Sequence, residues 1–576
     1  MSLPRELWFG PHPGAATTTF HLWAPAEQMI ALEVEGIAPA IMEREEQGAR
    51  AAALPAGAGA RYAFRLDAHT RVPDPASRAQ DGDVGDASLI VNPGSHRWTC
   101  TGWLGRPWEE TILYELHVGL LGGFAGVGAH LERIAKLGFT AIELMPVADF
   151  PGQRNWGYDG VLPFAPDRAY GTPDELKALI DRAHALGLMV FLDVVYNHFG
   201  PDGNRLPEYA PQFFRADRKT PWGPAIDFRQ PMVRRFFIEN AIYWTREFRI
   251  DGLRFDAVHA IGDTDFLAEL ASEVCANAPK GRHVHLVLEN DNNDARLLQR
   301  GFDAQWNDDV HHALHVLLTG EAGGYYQDYA AAPAKALARA LAEGFVYQGE
   351  ASPHRGGEPR GTPSADLAPT CFVSFLQNHD QIGNRAFGER LTTLARPAAL
   401  RAAIALQLLS PQIPLVFMGE EAGAREPFLY FTDHNPELAK AVRDGRRSEF
   451  AKFPEFSDPQ RREQIPDPNA AATFERSRPS IDGPRAEEWN EWYAALIRIR
   501  RGEIVPRLKG ARSAGAEALN DAAVLARWRL GDGAMLSIAA NLGDAPVRAQ
   551  FPRSAPIWGT PGDVLRATST VAWLEA

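Results

Sequence analysis

Cysteine is scarce: the 576 residues hold three, Cys100, Cys275 and Cys371. An odd number of widely separated thiols builds neither a disulfide framework nor a thiolate metal site, and it favours a reducing, cytoplasmic setting. Positive charge is also short. Lys and Arg total 59 against 73 Asp and Glu, a net −14, so nucleic acid and anionic membrane would be repelled while a neutral ligand would be indifferent. No apolar run approaches the roughly 18 residues of a membrane span. The opening MSLPRELWFGPHPG lacks the apolar core of an export signal, so neither export nor membrane anchoring is expected. Metal-binding patterns are missing as well. His311 and His315, four apart in HHALH, would share one helix face, but no helical Glu or third ligand accompanies them. Asp202-Gly203-Asn204 is a turn without the alternating ligands of a calcium loop. No metal and no cofactor is expected.

What is present is an ordinary globular composition, 45% hydrophobic and 23% charged, with chain enough for two to four domains. From Thr17 to about Asp67, short alternating segments (TTFHLWAP, MIALEVEG, RYAFRLD) between Pro and Gly clusters predict a small β-sandwich. The Pro-, Gly- and Asp-rich stretch from about Pro73 to Pro107 predicts a linker. From Thr111 strand and helix patterns alternate. The strand candidates are ILYELHV, TAIELMPV, LMVFLDVV, GLRFDAV, HVHLVLEN, FDAQWN, CFVSFLQN and IPLVFMG, mostly the apolar runs of parallel strands covered on both faces. Helical patterns lie between them, including a weak one in DARLLQR and one in PDELKALIDRAHALG, where Thr172 caps, Pro173 takes the first position and Glu175 completes a capping box. Eight rounds predict an α/β fold, a (β/α)8 TIM barrel. Its expected limits are 96–508, with excursions near 196–229 and 421–486, preceded by the N-terminal β-sandwich and linker (1–95) and followed by a C-terminal β-sandwich (509–576).

In such a barrel chemistry sits at the C-terminal strand ends. Strand three ends at Asp193, Asn197 and His198; strand four supplies Arg254, Asp256 and His259; strand five ends at Glu289; strand seven ends at His379 and Asp380. In GLRFDAVH, Arg254 and Asp256 alternate with Leu253 and Phe255, which aims cation and carboxylate to one side. A structural ion pair and a nucleophile held ionised are both open on that octapeptide alone. The joint crowd of acids suits acetal cleavage, which needs a proton donor for the departing oxygen and a carboxylate for the cationic sugar ring. Asp256, paired with Arg254, fits the nucleophile. Glu289, without a cation beside it in sequence, fits the acid/base, and Asp380 would hold sugar hydroxyls and favour the distorted ring, with His198 and His379 donating hydrogen bonds.

DVVYNH, GLRFDAVH, LVLEN and FLQNHD, in that order, resemble the four signature regions of the α-amylase superfamily of retaining α-glucan enzymes, and FHLWAP resembles the start of their accessory sandwich. The resemblance places the family's nucleophile, acid/base and transition-state stabiliser on Asp256, Glu289 and Asp380, its Arg and two His on Arg254, His198 and His379, and its aromatic platform on Tyr158 of NWGYDG. Asn197 matches a calcium-binding position of many such enzymes, but the retaining mechanism needs no ion. The flanking words NHFGPDGN, WNDDVHHALHVLLTGE, EGFVYQGE, QNHDQIGNRAFGERL, PLVFMGEE and PDPNAAATFERS resemble the maltooligosyltrehalose trehalohydrolase family. That resemblance implies cleavage of the α-1,4 bond next to the terminal trehalose of maltooligosyltrehalose, with a trehalose-forming synthase acting before it. Trp306, Asp308, Asp309, Gln381, Asn384 and Arg385 are the candidates for substrate contacts beyond the cut. A branching or other transglycosylating enzyme is the alternative within the superfamily. A glycan-binding relative without catalysis would normally have lost one of the three acids, and all three are present.

Overall fold

The computed structural model describes residues 7–27, 29–453 and 456–576. The first residues of the opening segment, used above to argue against an export signal, lie outside the described residues. The N-terminal strands form two antiparallel sheets, one built on Thr18–Trp23 and Ala49–Leu54 and the other on Ala31–Val34 and Arg61–Arg65. Alternation sets which side is buried: Phe20 and Leu22 point inward with Tyr62 and Phe64, while Thr19 and His21 stay half-buried.

The first part of the stretch expected to be a linker is instead packed, while the rest is mostly irregular and exposed or half-buried. Residues 72–80 are buried, Asp74 accepts a hydrogen bond from Tyr62 Oη at 2.8 Å, and the Arg78 guanidinium lies 4.2 Å over the Tyr243 ring of barrel helix Pro231–Glu247. Pro, Gly and Asp mark irregular backbone, and irregular backbone is buried wherever its polar groups find partners.

Eight parallel strands close a barrel in sequence order: Leu113–Leu116, Ala141–Leu144, Met189–Val194, Gly252–Phe255, His285–Leu288, Ala304–Trp306, Phe372–Ser374 and Ile413–Phe417, the last pairing with the first. Each lies within one of the eight predicted runs. Met189, Phe191, Val287, Trp306, Val373 and Leu415 fill the interior, so the barrel is a packed core and the chemistry is confined to its rim. Gly252 opens strand four because a Cβ there would stand 2.1 Å from the Phe191 ring.

The capping box forms as expected: Thr172 Oγ1 accepts from Glu175 N, and the Glu175 side chain accepts from Thr172 N. DARLLQR gives only a short 3-10 helix, Ala295–Gln299, and a helix not anticipated as part of the alternation, Asp308–Thr319, follows strand six directly. The first excursion carries a hairpin, Phe214–Thr220 with Gly223–Ile226; the second contains helices Pro436–Phe450 and Ala471–Arg476. A further hairpin, Ala148–Asp149 with Leu162–Pro166, holds NWGYDG above the rim. At the C-terminus a four-stranded antiparallel sheet, completed by Ser569–Glu575, stands with the small pair Val547–Arg548 and Val564–Leu565. No helix among the described residues is long and apolar enough to cross a membrane.

Candidate active site

The rim of the barrel opens into a cleft of about 680 Å³ lined by Tyr158, His198, Asp256, His259, Glu289 and Asp380, with Trp306, Asp308, Gln381 and Asn384 beside them. Barrel register explains the convergence. Asp193 on strand three lies opposite Arg254 on strand four, and Arg254 lies opposite Val287 on strand five, two residues before Glu289.

Arg254 is the hub. Its Nη1 donates to Asp193 Oδ2 at 2.6 Å and Asp256 Oδ1 at 2.9 Å, and its Nη2 stands 3.6 Å from Glu289 Oε2. The guanidinium lies 4.2 Å over the Trp306 ring and is wholly buried, so it holds carboxylates and does not face the cleft. Asn197 Nδ2 donates to the other oxygen of Asp256 at 2.7 Å, while Asn197 Oδ1 meets His198 Nδ1 at 2.5 Å. Asp256 is therefore fixed from both sides. The next residue, Ala257, is left-handed at φ 42°, a conformation that costs a non-glycine residue about 1–3 kcal/mol. Glu289 steadies it by accepting from Ala257 N at 2.5 Å.

On the far side, Tyr158 Oη donates to Asp193 Oδ2 at 2.6 Å and lies 2.8 Å from His379 Nε2, its ring stacked on the imidazole. His379 Nδ1 hydrogen-bonds Glu115 Oε1 of strand one, and Nε2 stands 3.4 Å from Asp380 Oδ1. Asp380 sits in the first turn of the short helix His379–Gly383, where Asn378 accepts from its backbone N–H.

The acids differ in environment. Burial holds the Glu289 carboxyl well above the usual range; Arg254 pulls against this, while Asp256, Asp380 and Asp308 add to it. Burial also acts on Asp380, yet His379 and Arg254 outweigh it and keep that group below its ordinary value. Asp193 is pushed up to about 6 by burial, and Asp308 to about 7 for the same reason. His379 is raised well above a free imidazole because Asp380 and Glu115 together outweigh its burial. The Glu289 carboxyl held protonated beside an Asp380 carboxyl held ionised is the division of labour of an acid/base and its partner.

Not every candidate reaches the cleft. Arg254, Asp193, Asn197 and His379 are buried behind it and orient the residues that do line it. Asp309 is turned away, accepting from Asn293 Nδ2 at 3.0 Å, Val346 N at 2.6 Å and Arg360 at 3.1 Å. Arg385 is also withdrawn, paired with Glu321 at 2.7 Å and Glu389 at 3.1 Å. Both were candidate substrate contacts, and both spend their charge on the frame. The HHALH histidines do not form a ligand pair: His311 bonds Leu376 O and Tyr326 Oη, and His315 meets Glu321 at 2.8 Å. Among the described residues no cluster of three or more His, Cys, Asp or Glu is arranged for a metal.

The cleft also has walls that sequence reasoning missed. Trp222, at the tip of the first excursion's hairpin, stacks on His198 at 5.5 Å; Tyr325 and His312 line the opposite side; Tyr430 and His434 come from the second excursion. Glu115 had a signal, a lone charge inside the apolar run ILYELHV. Glu143 in TAIELMPV carries the same signal and is fully buried, with neither carboxylate oxygen partnered.

Barrel, strand-end acids and buried arginine define a glycoside hydrolase of the α-amylase class. Residues 78–212 match the model described as alpha amylase, catalytic domain, and residues 511–573 match a domain of unknown function, DUF3459. A malto-oligosyltrehalose trehalohydrolase of Deinococcus radiodurans is 41% identical over 506 residues, covering 86% of this chain and 83% of its own. One from Rhizobium sp. (strain M-11) is 38% identical over 579 residues, covering 94% of each. A crystal structure from Salmonella typhimurium, described as a candidate alpha amylase, superposes with a TM-score of 0.93 at 41% identity over 99% of this chain and all of that one. The chain belongs to the malto-oligosyltrehalose trehalohydrolase family.

Proposed function

We propose that the chain hydrolyses the α-1,4 bond joining a maltooligosaccharide to its terminal trehalose, in two steps with retention at the anomeric carbon, and releases trehalose. Asp256 attacks the anomeric carbon of the sugar before the cut, Glu289 gives its proton to the departing O4 of trehalose, and the C1–O bond breaks to leave a glycosyl ester on Asp256. Glu289, now ionised, takes a proton from water, and the resulting hydroxide displaces Asp256 from C1. Asp380 stabilises the positively charged ring in both transition states, while Tyr158 offers it an aromatic face.

The observation that carries this reading is the single guanidinium of Arg254 contacting Asp256 and approaching Glu289. It holds both carboxyls to one planar group, so that a nucleophile and an acid/base can act on a single anomeric carbon. The relatives' name supports the substrate. Incubation with maltooligosyltrehalose is expected to yield free trehalose and a shortened maltooligosaccharide; branched product from amylose would instead identify a transferase. Asp256→Asn is expected to lose at least about a thousandfold in kcat with little change in oligosaccharide binding. Near-normal turnover would remove Asp256 from its role.

We further propose a cytoplasmic location, which the unpaired Cys100, Cys275 and Cys371 support, and a trehalose-forming synthase as the source of substrate. The division 1–95, 96–508 and 509–576 is the domain organisation we adopt.

A further inference from the structure

A second cleft, of about 500 Å³, lies away from the catalytic mouth, where barrel helices Pro397–Leu409 and Pro484–Ile499 meet the C-terminal sheet. Two tryptophans wall it. Trp492 comes from the last barrel helix and Trp558 from the loop before Ser569–Glu575, with ring centroids 5.0 Å apart at 80°. The loop is held firmly: Trp558 bridges Ala572, and at Gly559, φ +85°, a Cβ would meet Thr570 O at 2.5 Å.

The polar lining has an unusual balance. Trp492 Nε1 and Arg401 Nε are buried donors with no acceptor, although the Arg401 guanidinium also pairs with Glu488 and lies 5.5 Å over the Trp492 ring. Arg566 and Thr568 add further donors. No acidic side chain lines this cleft, in a chain with 73 acids. Its ligand therefore supplies acceptors, and it presents a flat apolar face to the indoles. A phosphate-like anion would satisfy the arginines and leave both aromatic walls bare. A pyranose ring meets both demands, with C–H groups on its face and hydroxyl oxygens around its rim.

We propose that this cleft is a non-catalytic binding site for an α-glucan chain, with Trp492 and Trp558 as the stacking surfaces and the Arg401, Arg566 and Thr568 side chains as the donors. It would hold a glucan while the barrel mouth acts, and it rests on the glucan-active reading above.

The test is calorimetric titration of full-length Asp256→Asn protein with maltoheptaose. Two equivalents are expected to bind, one per cleft. Adding Trp558→Ala, or Ala398→Arg at an exposed helix position on the cleft wall, is expected to leave one. In the otherwise wild-type chain either change should leave kcat on a short maltooligosyltrehalose unchanged. One equivalent in Asp256→Asn, unaltered by either second substitution, would overturn the site and leave the hydrolase reading standing. No binding at all would overturn both. Inorganic phosphate that binds and expels one maltoheptaose would show an anion site and overturn the glucan assignment.

Discussion

At the scale of single residues, Arg254 carries the largest share of the architecture. A planar fork can serve Asp193, Asp256 and Glu289 together while stacking on Trp306; an ammonium is a point charge on a flexible stem. Arg254→Lys keeps the charge and loses the fork, so kcat is expected to fall roughly 10²- to 10³-fold with a small change in KM, by misplacement of the reacting carboxylates. Steady-state kinetics on a defined oligosaccharide would decide; a rise in KM alone would assign Arg254 to substrate binding. Asp308 gives a prediction with a sign. Glu289 must be protonated to act as the acid, so activity is lost as pH rises through its pKa, and the Asp308 charge helps hold that pKa up. Asp308 itself ionises around 7, so it is charged on the alkaline side. Asp308→Asn is expected to move the alkaline limb of kcat/KM to lower pH. An unmoved limb would mean that the Asp308 charge has no hold on Glu289, leaving burial and the charges of Arg254, Asp256 and Asp380 to govern it. That Asp256, Glu289 and Asp380 would share the rim was legible in sequence because each closely follows a strand whose apolar residues are contiguous or alternate. The withdrawal of Asp309 and Arg385 was not, because their partners Arg360 and Glu321 lie 51 and 64 positions away, and nothing local records which charge is already spent.

At the scale of elements, periodicity did well where a whole segment shares one environment. Barrel strands are buried on both faces, and their apolar runs say so; the capping box of Pro173–Ala185 is written in four adjacent residues. Thr172→Ala would leave Glu175 N without its side-chain acceptor and cost about 1 kcal/mol, within the usual 0.5–2 kcal/mol for a lost N-cap. A fall in Tm with unchanged kcat is the expected result, measured by thermal unfolding and activity on the same preparation. Loops were harder. The hairpin that carries Trp222 and the segment containing Trp156 and Tyr158 are irregular, and where their side chains end depends on the rim beneath them. The buried stretch 72–80 fails for the same reason: composition reports backbone irregularity, while burial is decided by the Tyr243 and Phe164 rings that Arg78 finds across the domain junction.

At the scale of the whole molecule, the C-terminal sheet is bound into the barrel's own packing. Helix Pro397–Leu409 buries ten of its thirteen residues, and a helix apolar nearly all round needs cover on two sides. The barrel wall supplies one. The other is the sheet: Thr570 Oγ1 donates to Ala402 O at 2.7 Å, and Trp528 Nε1 donates to Leu341 O of Pro333–Glu343 at 3.2 Å. Trp528 and Trp573 are themselves almost wholly buried. Each large apolar side chain exposed costs about 1.5–3 kcal/mol, and a domain holds only about 5–15 kcal/mol in reserve. A chain ended at residue 508 would keep every residue of the catalytic cleft and still leave Pro397–Leu409 bare on its outer side. It is therefore expected to aggregate on expression, or to unfold well below the full-length protein, as read by soluble yield and size-exclusion chromatography. A soluble monomer of 1–508 with full activity would show that the barrel covers these helices unaided and that the sheet serves binding alone.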